Sequence, residues 1–201
     1  MSENNKSVPK RRFKEFKNAD AWEQRRLGEY SDFITKGTTP KDKSGNGTVN
    51  FVKIENISNS VIFPVSKISD EEHNGSLQRS KLEENDILFS IAGTLGRTAI
   101  VDKSILPANT NQALAIIRGY DFDPGFFITS LSGNVVSEFV KMNPTIGAQP
   151  NLSLEQIGNL IITTPYREEQ KQIGTFFCYL DNLITLHQCE PKVIFVRREY
   201  V

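Results

Sequence analysis

Three polar segments of this sequence carry side chains suited to nucleic-acid base edges and phosphates. Direct readout needs paired donors and acceptors, with Arg or Lys matched to guanine and Asn or Gln to adenine. The first segment, Lys36-Gly37-Thr38-Thr39-Pro40-Lys41-Asp42-Lys43, sets three cations among small residues that let a backbone approach phosphates closely. It reads as a phosphate-contacting loop, against the plainer reading of a solvated turn, because Lys-rich loops occur on any surface. The second, Gly93-Thr94-Leu95-Gly96-Arg97, projects Arg97 from a Gly-flanked turn, either as a DNA contact or as a structural pairing inside the domain. It lacks the lysine of a phosphate loop and the GxGxxG spacing of a nucleotide site. The third, Gly147-Ala148-Gln149-Pro150-Asn151, offers the amides of Gln149 and Asn151 to adenine, or else caps the helix that follows. Asn109, Asn111 and Gln112 are similar candidates at the start of a strand, and Lys53, Arg79 and Lys81 are candidates for backbone contact.

Catalysis finds no comparable inventory. Asn143-Pro144-Thr145-Ile146 lacks the second proline and the aromatic that an adenine methyltransferase tetrapeptide uses to stack a flipped base. Glu169-Gln170-Lys171 matches half of a nuclease signature, but without a metal-binding Asp upstream it reads as a solvated helix face. His73 and His187 are too few and too far apart for a zinc site. Cys178 and Cys189 form no CxxC, which argues against a disulfide framework, and Cys178 is expected to pack in a core. No catalytic or metal-ligating residue is therefore expected.

The elements that would hold these loops are read from pattern. Residues 1–18 are basic and polar and read as a mobile lead-in, with Phe13 and Phe16 able to dock its end. Residues 19–165 form the main domain. In it, Trp22, Arg26, Leu27, Tyr30 and Phe33 suggest a short amphipathic turn entering a strand, and 38–48 an exposed loop. Short β-prone runs at 50–57, 61–68, 86–93, 97–103 and 113–119 argue for an irregular mixed sheet. Phe127, Leu131, Val135, Phe139 and Met142 fall at helical spacing, and Ser153 with Gln156 has capping-box form before a strand ending at Pro165. Over 166–190, Ile173, Phe177, Leu180, Ile184 and His187 alternate at spacings of four and three, and Leu183 widens the stripe. That is a coiled-coil seam aimed at a partner, or else a helix packed on its own domain. Residues 191–201 are an atypical tail. The fold class is thus α/β of the α+β kind, a mixed-sheet domain with packed helices and a C-terminal coiled-coil-type helix.

Composition bounds the rest. Lys plus Arg and Asp plus Glu are 24 each, so no bulk basic excess announces nucleic acid, and local distribution decides. No run approaches the roughly 18–20 apolar residues of a membrane span. A soluble, cytoplasmic protein without membrane partners is expected.

Three stretches, in order, resemble one family. GAQPNLSLEQIGNLIITTPYREEQKQIGTFFCYLDNLITLHQ (147–188) is similar to the end of a target recognition domain and the helix after it in specificity subunits of type I restriction-modification enzymes. WEQRRLGEYSDFITKGTTP (22–40) resembles the opening of that domain, and ENDILFSIAGTLGRTAIVD (84–102) its middle. The resemblance covers about residues 13–188. It implies a non-catalytic subunit that reads one half of a split double-stranded DNA target. Its partners would be methylation and restriction subunits, with S-adenosylmethionine, ATP and Mg2+ bound on those subunits and no cofactor on this chain. It also implies a helix that pairs with a second half-specificity chain or with another copy of this one. The family usually has two domains and two helices, so this chain resembles a half subunit, and Cys189–Val201 departs from the Lys- and Leu-rich continuation such chains have. A truncated or regulatory remnant that competes for methylation subunits is the alternative.

Overall fold

The computed structural model describes residues 7–143 and 151–189, with side chains to Ile184 on the last helix. Its centre is an antiparallel sheet of β2 (Ser31–Lys36), β10 (Leu114–Tyr120), β7 (Ile87–Ser90) and β8 (Thr98–Ile100), in that spatial order. β7 reads Ile-Leu-Phe-Ser and β10 begins Leu-Ala-Ile-Ile, apolar at consecutive positions, because both of their faces are covered. Side chains alternate across the sheet, so Ile87, Phe89, Ala115 and Ile117 join one cluster and Leu88, Leu114 and Ile116 the other.

On the first face lie α2 (Pro124–Ser132), α3 (Asn134–Met142) and α4 (Leu154–Gly158), contributing Phe126, Phe127, Leu131, Val136 and Ile157 to the cluster. Phe122 stacks on Phe127 with ring centroids 5.0 Å apart. On the second face a smaller sheet places β3 (Val49–Val52) between antiparallel β6 (Ser66–Ile68) and parallel β9 (Ala108–Thr110). A hairpin of β4 (Ile57–Ser58) and β5 (Val61–Ile62) adds Ile57 and Ile62 to that side. Asn59 and Ser60, both at positive φ, form its two-residue turn. β1 (Glu23–Arg26) pairs with β11 (Ile161–Thr164), and α1 (Asp70–Asn74) follows β6. The architecture is the α+β arrangement expected, and the runs named above overlap the strands β3 to β8 and β10.

Four expectations are corrected. The apolar spacing from Phe127 to Met142 crosses two helices, not one, because Gly133 leaves helical geometry between them. The lead-in is tethered at Ser7, which bridges to Trp22, as well as at its end, where Phe13 docks as expected and meets Phe176 edge-on at 5.7 Å. Glu169 is not on a solvated face, being 1% exposed and held by Arg12 through Nε to Oε1 at 2.8 Å and Nη2 to Oε2 at 2.6 Å. A carboxylate that deep requires a partner that satisfies both oxygens, and the Arg fork does so. Cys178, finally, is exposed on the last helix rather than packed in the core.

That helix, α5 (Arg167–Cys189), roots itself beside α2. The Gln170 side chain accepts from the backbone of Asp123 at 2.9 Å and donates to the carbonyl of Pro165 at 2.9 Å. Gly174 lies so close that a Cβ on it would stand 2.5 Å from the backbone nitrogen of Phe126. The predicted capping box is present: Ser153 Oγ accepts from the Gln156 backbone at 3.1 Å, and Gln156 Oε1 accepts from the Ser153 backbone at 2.9 Å.

Candidate nucleic-acid interface

The first two loops singled out by residue type, and the segment of Asn111 and Gln112, leave the same end of the central sheet. Lys36 stands opposite Ala115, Ala115 opposite Phe89, and Phe89 opposite Thr98, so one row of paired residues crosses all four strands. The chain after Lys36, the chain between Ser90 and Arg97, and the chain before Leu114 all emerge beyond that row. With strands about 4.8 Å apart the row is about 14 Å long, close to the width of about 12 Å of a DNA major groove.

The first loop is pinned to β9 and β10 by its backbone, with Gly37 donating to Leu114 at 3.1 Å and Thr38 to Thr110 at 2.9 Å. A Cβ at Gly37 would sit 2.2 Å from the carbonyl oxygens of Thr110 and Asn111, so only glycine permits this approach. Thr39 donates its hydroxyl to Gln112 Oε1. Glu72 of α1 accepts from the backbone nitrogens of Lys41 at 2.6 Å and Asp42 at 3.3 Å. Hydrogen bonds from the backbone and hydroxyl of Ser44 lower the Asp42 carboxyl below the usual carboxylate range, so it is an anion among the lysines. Loop and sheet together enclose a cleft of about 300 Å3 whose polar lining includes Asp42, Lys43, Lys53, Lys67, Asn111 and Gln112.

The second loop is stapled by Ser90, whose hydroxyl accepts from Arg97 N at 2.7 Å and donates to Thr94 O at 2.6 Å. The Arg97 guanidinium is exposed and makes only a 3.5 Å approach to the carbonyl of Ile57, in a cleft of about 450 Å3 shared with Glu55, Ser58 and Ser132. The third loop meets the second, since Asn151 bridges to Ala92 and Leu152 N donates to Ile91 O at 2.8 Å. Gln149 lies outside the described residues.

Charge is divided between the two ends of the sheet. At the far end Arg118 forks onto Asp86 with two 2.7 Å bonds, and Arg25 and Arg167 approach Asp121. Among the described residues every ion pair uses Arg12, Arg25, Arg26, Arg118 or Arg167. Lys36, Lys41, Lys43, Lys53, Lys67 and Arg97, at the loop end, take part in none. No lysine among the described residues is in an ion pair, so this end is distinguished by the grouping of its cations, with Asp42 and Glu55 as the acids lining the same two clefts.

Some candidates separate from this group. Asn109 is fully buried, and its amide donates to Leu77 O at 2.8 Å and Ser80 Oγ at 3.1 Å, so it serves the fold. Lys81 Nζ donates to Asn74 Oδ1 at 2.7 Å, and Arg79 is exposed. Lys67 was not singled out by sequence; its signal is its place in the alternating run 61–68, where it points outward. On α5, Ile173 packs against the domain core, Leu180 and Leu183 are half-buried, and Phe177 and Ile184 are 41% and 53% exposed. His187 lies on the helix beyond the last described side chain.

Comparison with known proteins is specific. The family model for the type I restriction modification DNA specificity domain matches residues 19–194. The chain is 32% identical over 114 residues to the type I restriction enzyme EcoBI specificity subunit of Escherichia coli, covering 53% of this chain and 23% of that one. An HsdS subunit from Thermoanaerobacter tengcongensis is similar in structure, with a TM-score of 0.58 and 19% identity over 86% of this chain and 40% of that chain. The type I restriction-modification S subunit from M. genitalium gives 0.55 and 15% over 90% and 44%. A chain from a study of complex assembly and conformational transition of the type I R-M system gives 0.60 and 18% over 83% and 40%. The chain therefore spans under a quarter of the curated relative and under half of the solved chains.

Proposed function

The chain belongs to the type I restriction-modification DNA specificity domain family, and from that premise we propose that it reads one half of a bipartite DNA target for methylation and restriction subunits. Lys36, Lys41 and Lys43 hold phosphates on either side of a groove, Thr38 and Thr39 approach the backbone, and Arg97, Asn111, Gln149 and Asn151 face base edges. Phe177, Leu180, Leu183, Ile184 and His187 of α5 engage a partner helix or subunit, with Ile173 anchoring that stripe in the domain. The chain supplies recognition and the partner subunits supply the chemistry, together with the S-adenosylmethionine, ATP and Mg2+ it requires.

The observation that carries this reading is the gathering of Asn and Gln amides, and of cations that stand outside ion pairs, at one end of the sheet, over a width that suits a major groove. Two measurements test it. Co-purified with its methylation subunit, the chain is expected to shift a duplex in a sequence-dependent way, and the genome bearing it to carry N6-methyladenine at a bipartite motif that vanishes on deletion of the gene. A complex that never forms, or a methylation pattern unchanged by the deletion, overturns the proposal.

A further inference from the structure

Between the two cationic clefts runs a strip of apolar side chains that neither core absorbs. Through β5, the linking residues 63–65 and β6, exposed and buried positions alternate at the two ends: Ile62 and Ile68 are 7% and 2% exposed, while Val61, Phe63 and Val65 are 50%, 59% and 81% exposed. Val61, Phe63, Val65 and Lys67 are thus the exposed members of this run and form its outward row. Its position is fixed at both ends. Lys67 lines the cleft of Lys43, Lys53 and Asn111. At the other end the Phe63 nitrogen donates to Asn56 O at 2.8 Å, and the hairpin carrying Val61 borders the Arg97 cleft through Ser58 and Ile57. Lys53 N donates in turn to Asn56 Oδ1 at 2.8 Å, which ties the strip to the lysine cleft along its length.

We propose that this row, centred on Phe63, is a base-reading surface that packs against the 5-methyl group of thymine in the major groove. The proposal rests on the DNA-binding reading given above and adds the chemistry of one contact to it. An apolar ridge flanked by unpaired cations fits a ligand that is anionic at its rim and has apolar methyls within. The major groove is such a surface, with phosphates along both edges and thymine methyls on its floor. Lys43, Lys53, Lys67 and Arg97 stand outside every ion pair among the described residues, and against the two acids that line their clefts, Asp42 and Glu55, the cations are in excess, which suits a polyanion.

The test uses the full chain in complex with its methylation subunit and a duplex bearing the motif found by methylation mapping. Because that motif contains a methylated adenine, it contains thymine. Each thymine is replaced singly by deoxyuridine, which removes one methyl and leaves the hydrogen-bond pattern intact. Wild-type protein is expected to lose about fourfold in affinity at one position. Phe63→Ala is expected to lose roughly tenfold on the unmodified duplex, with no further loss at that position. Phe63→Leu should restore part of it, and Val65→Ala, at a more exposed site, provides a second variant should Phe63→Ala melt early. A flat deoxyuridine profile in the wild type, or an unchanged affinity in both variants, overturns the assignment while leaving DNA binding itself standing. Loss of the methylation subunit with DNA affinity intact overturns it in favour of a protein contact. Failure of the wild type to bind any duplex would instead sink the parent reading.

Discussion

Replacing Lys43, Lys53 and Lys67 together by Gln tests whether their shared cleft grips phosphate. All three line one concavity, and none is in an ion pair among the described residues. Each lysine that neutralises a phosphate releases condensed counterions, so the slope of log affinity against log salt changes by about 0.9 per contact. Three contacts make the slope about 2.7 shallower, and the ratio of wild-type to variant affinity should shrink about 40-fold between 50 and 200 mM salt. Fluorescence anisotropy on a labelled duplex across that range measures it. The side chains lie on the surface, so stability should stay within about 0.5 kcal/mol of wild type. A control triple, Lys14, Lys17 and Lys103 to Gln, removes the same charge from exposed positions elsewhere and should leave the slope unaltered. Equal slopes for the cleft triple and wild type would refute the reasoning, whatever the change in absolute affinity.

Three further outcomes are expected. Gly37→Ala places a Cβ 2.2 Å from two backbone carbonyl oxygens and should lower stability by about 1–3 kcal/mol in urea titrations, with the first loop displaced and DNA affinity reduced. Arg97→Ala and Gln149→Ala should each cost about 1–3 kcal/mol of binding if they make bidentate base contacts, and Arg97→Ala should leave the melting temperature unmoved; unchanged affinity would assign Arg97 to the fold. Asp86→Ala removes the acceptor for both the Arg118 fork and the Glu83 nitrogen. Breaking a buried pair costs about 3–5 kcal/mol, and because Arg118 is 27% exposed and can turn to water, about 2 kcal/mol is expected by denaturation.

The strands of the central sheet were legible because Ile87, Leu88, Phe89 and Leu114 to Ile117 form apolar runs closed by polar turns. β9 was not, since Asn109 and Thr110 are polar residues buried in a strand, and the acceptors that allow this come from Leu77, Ser80 and Val52. The burial of Glu169 was equally hidden, its partner Arg12 standing 157 positions away. Residue type identified Lys41, Lys43, Arg97 and Asn111 as candidates, but their gathering at one end of the sheet depends on register, which local pattern does not encode. Lys67 escaped notice because a lone lysine in a β-prone run looks like any solvated position.

The contact of Gly125 with Gly174 reaches beyond packing. A Cβ on Gly125 would stand 3.1 Å from the Gly174 Cα, so the two helices touch backbone to backbone there, and this point sets the bearing on which the long helix leaves the domain. From Gly174 to Cys189 the axis runs about 22 Å, and a tilt of about 10° at its root would swing the far end by about 4 Å. A methyl group wedged in as a shim would therefore leave the loops at the sheet end untouched and yet displace the far end of the helix. Two hydrogen atoms, in effect, serve as the protractor of the long helix.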